Sequence, residues 1–258
     1  MNTEKTEAKN LKVVILAAGK GRRLNSEEAQ MPKHMRMVAG KPILDYVLKS
    51  VDFVPKEDIF IIVGFMKEMI TNVYSDHTFV NQGTEYGYGT GAAVRYAKEA
   101  IGDHEGDILV LMGDMPLISR ETLFNLYQYH KENKNDCTNL SCEIDQVLAL
   151  GRIVRDEAGN YLGIVENRDA TDEQKQNIKE YNTGNAIFNS KKLFEQLPNL
   201  EPNEKNSEYY LTDIPKLFLE NNYKVGVCKT KNPEEIHGVN SAEELMLIEK
   251  ILESNSTK

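Results

Sequence analysis

The stretch Ala17-Ala18-Gly19-Lys20-Gly21-Arg22-Arg23 sets two glycines and three cations directly after an apolar, β-branched run, Lys12–Leu16, and a further cation, Lys33, follows Pro32. A buried strand that empties into a cationic glycine loop is how an α/β protein holds a polyphosphate. Glycine lets backbone N–H groups close on phosphate oxygens, and the cations neutralise them. Two other glycine loops do not fit. A dinucleotide fingerprint needs a third glycine where Leu24 stands, and a Walker A loop needs a Gly-Lys-Ser/Thr ending that the chain lacks. Farther on, the apolar run Asp107–Met112 ends in Gly113-Asp114-Met115-Pro116. A carboxylate just past the C-terminal end of a buried parallel strand lies in the crevice where such sheets take ligands, and there it can hold Mg²⁺ against a phosphate. Taken alone, Asp114 could equally cap the next element.

Composition narrows the partners. The 258 residues suffice for one large α/β domain or two small ones. A net charge of −9 leaves no basic surplus for general nucleic-acid binding, so a polyphosphate ligand needs a local cationic loop and a divalent metal. Cys137, Cys142 and Cys228 are too few and wrongly spaced for a disulfide framework or a zinc site, which points to reduced thiols and a cytoplasmic protein. Residues 1–10 are polar, without the apolar core of a signal peptide, and are expected to be a disordered tail. No stretch is apolar and long enough to cross a membrane. No carboxylate–His–nucleophile signature is visible.

These residues need elements to position them. Strands are predicted at Lys12–Leu16, Asp58–Val63 and Asp107–Met112, alternating with helices at Pro42–Val51, Gly91–Ile101 and Arg120–Lys131, the last capped by Ser119. Continuous apolar strands separated by helices imply an α/β fold, a mostly parallel sheet with helices on both faces. In the second half, Arg152–Arg155 and Tyr161–Glu166 read as a strand pair about the turn 156–160. They are followed by a polar helix at Asp172–Glu180 and a strand at Asn185–Phe188. A helix at Tyr210–Glu220 interrupted by Pro215, a strand at Lys224–Cys228 and a helix from Ala242 capped by Ser241 complete the chain. No linker divides the halves, so residues 11–258 are expected to form one domain whose C-terminal half covers the ligand edge of the sheet.

Read in order, LAAGKGRR, MPKHM, GKPIL, GYGTGAAV, GDMPLIS, GRIVRD, GIVENRDATDEQ, EYNTGNAIF, EYYLTDI and HGVNSAEEL resemble the motifs of the N-acetylglucosamine-1-phosphate uridyltransferases of the GlmU type, within the sugar-phosphate nucleotidyltransferases. The resemblance runs from Leu11 to Leu245. It implies a Rossmann-like, GT-A-like fold and transfer of UMP from UTP to N-acetylglucosamine-1-phosphate, with Mg²⁺ as cofactor. It also implies roles. Ala17, Ala18, Gly19 and Gly21 form the nucleotide loop. Arg23 grips the leaving pyrophosphate, and Lys33 bridges to the transferred α-phosphate. Gly89 and Thr90 help to hold uracil. Asp114 and Asn240 ligate Mg²⁺. Gly151, Glu166, Asn182 and Thr212 contact the aminosugar. A phosphate-oxygen nucleophile is already an anion at neutral pH, so the chemistry needs positioning and electrostatics rather than a general base.

The chain departs from that family in places. The segment between Arg23 and Lys33 is longer than usual. The glutamine expected before Gly-Thr in the base region has two candidate positions, Thr84 by spacing and Gln82 with a small gap, which leaves the base open. No hexapeptide repeat follows the Gly-Val-Asn motif, so no left-handed β-helix acetyltransferase domain is expected, and the oligomeric state is not indicated. A nucleotidyltransferase for another sugar-1-phosphate or base, and a non-catalytic nucleotide-sugar sensor, remain as alternatives.

Overall fold

The first apolar run forms β1 (Leu11–Ala17), and helices bury it from both sides. Val13, Ile15 and Ala17 belong to one apolar cluster, Val14 and Leu16 to another, because successive strand residues point to opposite faces. The computed structural model describes residues 8–24, 26 and 28–256. After β1 come a short hairpin, β2 (Met37–Val38) and β3 (Lys41–Pro42), then α1 (Ile43–Ser50), β4 (Ile59–Val63), α2 (Lys67–Thr71) and β5 (Thr78–Asn81). They are followed by α3 (Thr90–Ile101), β6 (Asp107–Met112), α4 (Arg120–Glu132) and β7 (Cys137–Glu143). The second half adds β8 (Arg152–Arg155), β9 (Tyr161–Val165), α5 (Asp172–Asn177), β10 (Glu180–Asn189) and α6 (Ser190–Gln196). The closing elements are α7 (Ile214–Glu220), β11 (Val225–Lys229) and α8 (Ala242–Ser256).

The main sheet has the order β11-β7-β10-β6-β1-β4-β5, with the β8–β9 hairpin attached through β10. Pairs β1–β4, β1–β6, β4–β5 and β11–β7 are parallel, whereas β10 runs antiparallel to both β6 and β7. The expected mostly parallel sheet with helices on both faces is what forms. One face packs against α1, α2 and α4 through Leu44, Val47, Ile70, Leu123 and Leu126. The other packs against α3, α6 and α7 through Val94, Ala97, Leu193 and Phe218.

Register decides where the loops emerge. Ala17 lies level with Val63, Val63 with Asn81, and Leu16 with Met112. The segments that leave these strands, beginning at Ala18, Gly64, Gln82 and Gly113, therefore share one edge of the sheet, the edge where open α/β sheets take ligands.

Several expectations need correction. Residues 1–7 lie outside the described residues, but residues 8–10 are not a loose tail. Ala8 is buried and its N–H donates to the Phe53 carbonyl, Tyr127 Oη donates to the Lys9 carbonyl, and the Asp107 N–H donates to the Asn10 carbonyl. Pro215 does not interrupt a helix. It sits in the first turn of α7, where its missing N–H has no helical partner to lose. The polar helix ends at Asn177, and Glu180 already belongs to β10. Thr171 and Gln174 cap that helix reciprocally. The strand expected at Asn185–Phe188 is longer, Glu180–Asn189, and takes in Asn182-Thr183-Gly184 as an irregularity where the register to β7 shifts between Asn182 and Ala186.

Candidate active site

The phosphate loop leaves β1 at Ala17, which is buried, and passes through Ala18 to the exposed Gly19. Gly21 has a φ of +59°, in the left-handed region, and a side chain there would meet Ser26 Oγ at 2.6 Å and Lys33 Cβ at 3.0 Å. Only glycine suits such a position, and its lack of a side chain lets the loop lie against Lys33. Arg23, in a short helical turn (Arg22–Leu24), is exposed beside it.

Lys33 comes from a second short turn (Lys33–Met35) that begins after Pro32. Its Nζ contacts Asp114 Oδ2 and lies 3.3 Å from Asn240 Oδ1. Three residues separated by 81 and 207 positions along the chain thus meet at one ammonium. Each is placed by backbone contacts. The Gly113 N–H donates to the Leu16 carbonyl, which holds the end of β6 beside β1, and the Val239 N–H donates to the Asp114 carbonyl, which holds Asn240 alongside. Glu244, in the first turn of α8, accepts the N–H groups of both Asn240 and Ser241. That helix is seated by Ile248 and Val239 against Leu24, Val38 and Ile43.

The electrostatics follow from burial. Burial pushes the Asp114 carboxyl up, but the Lys33 ammonium, by charge and by hydrogen bond, outweighs it and holds the group below its ordinary value. His34, buried beneath Gly113, is lowered to about 3 by burial and by Lys33, against an opposing pull from Asp114, and is neutral. Among the described residues no group of three or more His, Cys, Asp or Glu side chains forms a metal cage. The Asp114 carboxylate and the Asn240 carboxamide oxygen nevertheless converge on one cation, Nζ of Lys33. Two hard oxygens of this kind are what Mg²⁺ takes from a protein when phosphates complete its shell.

In the base region, Gly89 caps α3 with φ +105°, and a Cβ there would stand 2.4 Å from the Tyr209 carbonyl oxygen. Thr90 Oγ1 accepts the Leu211 N–H at 3.0 Å, which ties this loop to the turn holding Thr212. Gln82 is half-buried and its N–H donates to the Val63 carbonyl, while Thr84 is exposed. Gln82 and Thr84 do share the loop with Gly89, but no hydrogen bond joins either of them to Gly89 or Thr90 among the described residues.

The predicted sugar residues come together from four segments. Thr212 Oγ1 donates to Glu166 Oε1 at 2.7 Å, and a Cβ on Gly151 would stand 3.4 Å from Glu166 Oε2. The Asn182 N–H donates to the Gly151 carbonyl at 2.8 Å. The bulge in β10 turns on Gly184, at φ +82°, and Asn185 Oδ1 takes the Met112 N–H in place of a strand partner. Asn182 Oδ1 is buried without a hydrogen-bond partner among the described residues. An unmet buried acceptor is costly unless a ligand supplies the donor.

Sequence reasoning missed His34, Asn185, Glu244 and the buried Ser26. Asn185 and Glu244 stood inside quoted motifs, and Ser241 three residues before Glu244 is a capping-box pattern that could have marked it. Nothing in the sequence signals that His34 is buried.

The chain is 40% identical over 240 residues to the bifunctional protein GlmU of Streptococcus mutans, covering 93% of this chain and 51% of that protein. It is 38% identical over 245 residues to GlmU of Streptococcus thermophilus, covering 95% of this chain and 52% of that protein. The chain thus spans about half the length of these relatives. A crystal structure of a putative glucose-1-phosphate thymidylyltransferase from Bacillus anthracis, in complex with a sucrose, shares the fold with a TM-score of 0.72 at 18% identity, over 93% of this chain and 94% of that one. Residues 13–209 match the MobA-like NTP transferase domain, and the chain belongs to that family of nucleotidyltransferases.

Proposed function

We propose that this protein transfers UMP from UTP to N-acetylglucosamine-1-phosphate with Mg²⁺ as cofactor. One observation carries the reading. The same sheet edge presents a cation-and-oxygen cluster, Lys33–Asp114–Asn240, and a polar wall in which Asn182 Oδ1 is buried and unpaired. The first suits a triphosphate, and the second suits a ligand with an N–H to give.

In this reaction a phosphate oxygen of the sugar phosphate forms a bond to the α-phosphorus. The bond from that phosphorus to the bridging oxygen breaks, and pyrophosphate leaves with the electron pair. The nucleophile needs no base. The glycine loop turns its N–H groups to the phosphates. Lys33 gives its ammonium to the α-phosphate as negative charge gathers there, and Arg23 meets the departing pyrophosphate. Asp114 and Asn240 would hold Mg²⁺, which when bound supplies neutralisation of the same charge. Glu166, with one oxygen committed to Thr212, offers the other beside Gly151 to a sugar hydroxyl. Asn182 Oδ1 accepts the acetamido N–H. Gln82, Thr84, Gly89 and Thr90 line the base region.

The test is pyrophosphate release with each of the four nucleoside triphosphates against N-acetylglucosamine-, glucose- and mannose-1-phosphate. Release that is strongest with UTP and N-acetylglucosamine-1-phosphate is expected. Strongest release with another pair transfers the same chemistry to that pair, and no release with any pair rejects the enzyme in favour of a sensor.

A further inference from the structure

Arg152 is the largest fully buried side chain described, and its guanidinium has no carboxylate among its contacts. Nη1 donates to the Leu150 carbonyl and to Asn167 Oδ1, both at 2.9 Å. Nη2 donates to the Leu148 carbonyl at 3.1 Å and to the Lys175 carbonyl at 3.4 Å. Its Cζ stands 5.1 Å from the centre of the Tyr181 ring. Tyr181 in turn binds the same segment, accepting the Leu148 N–H and donating to the Gln146 carbonyl. The Arg152 Nε is buried without a hydrogen-bond partner among the described residues, and burying a full charge against neutral partners is costly where a hydrophobic side chain would fill the space without that cost. What the guanidinium gives instead is a rigid fork whose donors reach several chain segments at once.

Those segments are the ones that carry the sugar residues. Leu150 precedes Gly151, Asn167 follows Glu166, and Tyr181 precedes Asn182. Each of the three is therefore one bond along the chain from a group that Arg152 grips. Resting on the sugar-phosphate reading above, we propose that Arg152 is the positioning residue of the sugar half of the site, fixing Gly151, Glu166 and Asn182 relative to one another without touching the substrate. It has no such link to Lys33, Asp114 or the glycine loop, so its loss is felt by one substrate and not the other.

The experiment is steady-state kinetics with each substrate varied in turn, on the wild type, Arg152→Lys, Asn167→Ala and Asn167→Asp, with near-ultraviolet circular dichroism as the folding control. A lysine ammonium cannot span the fork, so Arg152→Lys raises KM for the sugar phosphate about tenfold, the size of losing hydrogen bonds to a charged group. KM for UTP stays within about twofold, and the preference for the N-acetyl sugar over glucose-1-phosphate falls. Asn167→Ala removes one partner from a half-buried position and shifts the sugar KM about threefold in the same direction. Asn167→Asp, which keeps an acceptor for Nη1, behaves as wild type. If Arg152→Lys does not fold, the Asn167 pair decides. Equal shifts in both KM values, no shift in a folded Arg152→Lys, or Asn167→Asp failing as Asn167→Ala does, overturns the role given to Arg152. A wild type that turns over no sugar phosphate overturns the underlying reading as well.

Discussion

At the end of the site proposed for the phosphates, the candidate groups stand on loops leaving two parallel neighbours, β1 and β6, and on the start of α8; they are charged or strongly polar and meet at one point. At the end proposed for the sugar they stand on the antiparallel β10, at the base of the β8–β9 hairpin and on the turn before α7, and one carboxylate stands among neutral donors and acceptors. Parallel register brings strand ends level, so a loop after each strand is enough to gather charge. The antiparallel arm reaches that edge without a loop after each strand to carry its groups. It needs a bulge at Gly184, a side chain replacing a strand partner at Asn185, and the Arg152 fork to aim its groups. On the proposed reaction, the first construction would serve rate, since charge gathers at the α-phosphorus in the transition state, and the second would serve choice of sugar.

That division can be broken by experiment. The largest effect is expected from Asp114→Ala. It removes a buried carboxylate at the strand end and lowers kcat on the order of 10³-fold or more, with the circular dichroism spectrum kept. A Mg²⁺ titration of pyrophosphate release reads it, and activity within a few-fold of wild type would detach Asp114 from the chemistry. Lys33→Ala is expected to lower kcat on the order of 10², the usual size for one preorganised charge contact. A change in KM alone would show that Lys33 binds ground and transition states equally.

The sugar end should respond differently. Asn182→Ala leaves kcat nearly unchanged with glucose-1-phosphate and cuts the preference for N-acetylglucosamine-1-phosphate about tenfold, the value of one buried hydrogen bond to the acetamido group. Competition between the two sugars at fixed UTP measures it, and an unchanged preference removes Asn182 from the selectivity. The smallest effect concerns stability. His34 has a folded value of about 3 against 6.5 for an unperturbed histidine, so below pH 6.5 the unfolded chain takes up a proton that the folded chain refuses. Its contribution is therefore complete above pH 6.5 and is lost as the pH falls toward 3, with a slope of at most about 1.4 kcal/mol per pH unit. His34→Gln should flatten the fall in Tm between pH 7 and pH 4, and an unaltered slope would show that His34 does not titrate differently on folding.

The same contrast explains what could be read from the residues. β1, β4 and β6 are largely apolar runs buried on both faces, so these strands and the loops after β1 and β6 were legible. β7, Cys-Thr-Asn-Leu-Ser-Cys-Glu, was not. It is as buried as β1 through six of its residues, yet it carries Thr138, Asn139 and Ser141 inside the protein. His130 and Asn135 meet Thr138 Oγ1, and Ser141 Oγ donates to Glu180. No local pattern announces partners that arrive from distant segments. The length of β10 was hidden for a similar reason, since Asn-Thr-Gly-Asn is turn chemistry until a bulge absorbs it. The short elements β5, α2 and α6 carry too few residues for periodicity to show. The glycine loop, Lys33 and Asp114 stood out by residue type, whereas the other candidate residues were named only through the family resemblance. The pairing of Thr212 with Glu166 and the grip of Arg152 were not legible, because they depend on which segments the fold brings together.

The most direct measurement gives the protein UTP and Mg²⁺ with equal amounts of N-acetylglucosamine-1-phosphate and glucose-1-phosphate, and quantifies both nucleotide sugars by mass spectrometry. The expected result is UDP-N-acetylglucosamine in roughly tenfold excess or more, the discrimination that one unmet buried acceptor provides. Equal amounts of the two products, or no nucleotide sugar at all, would contradict it.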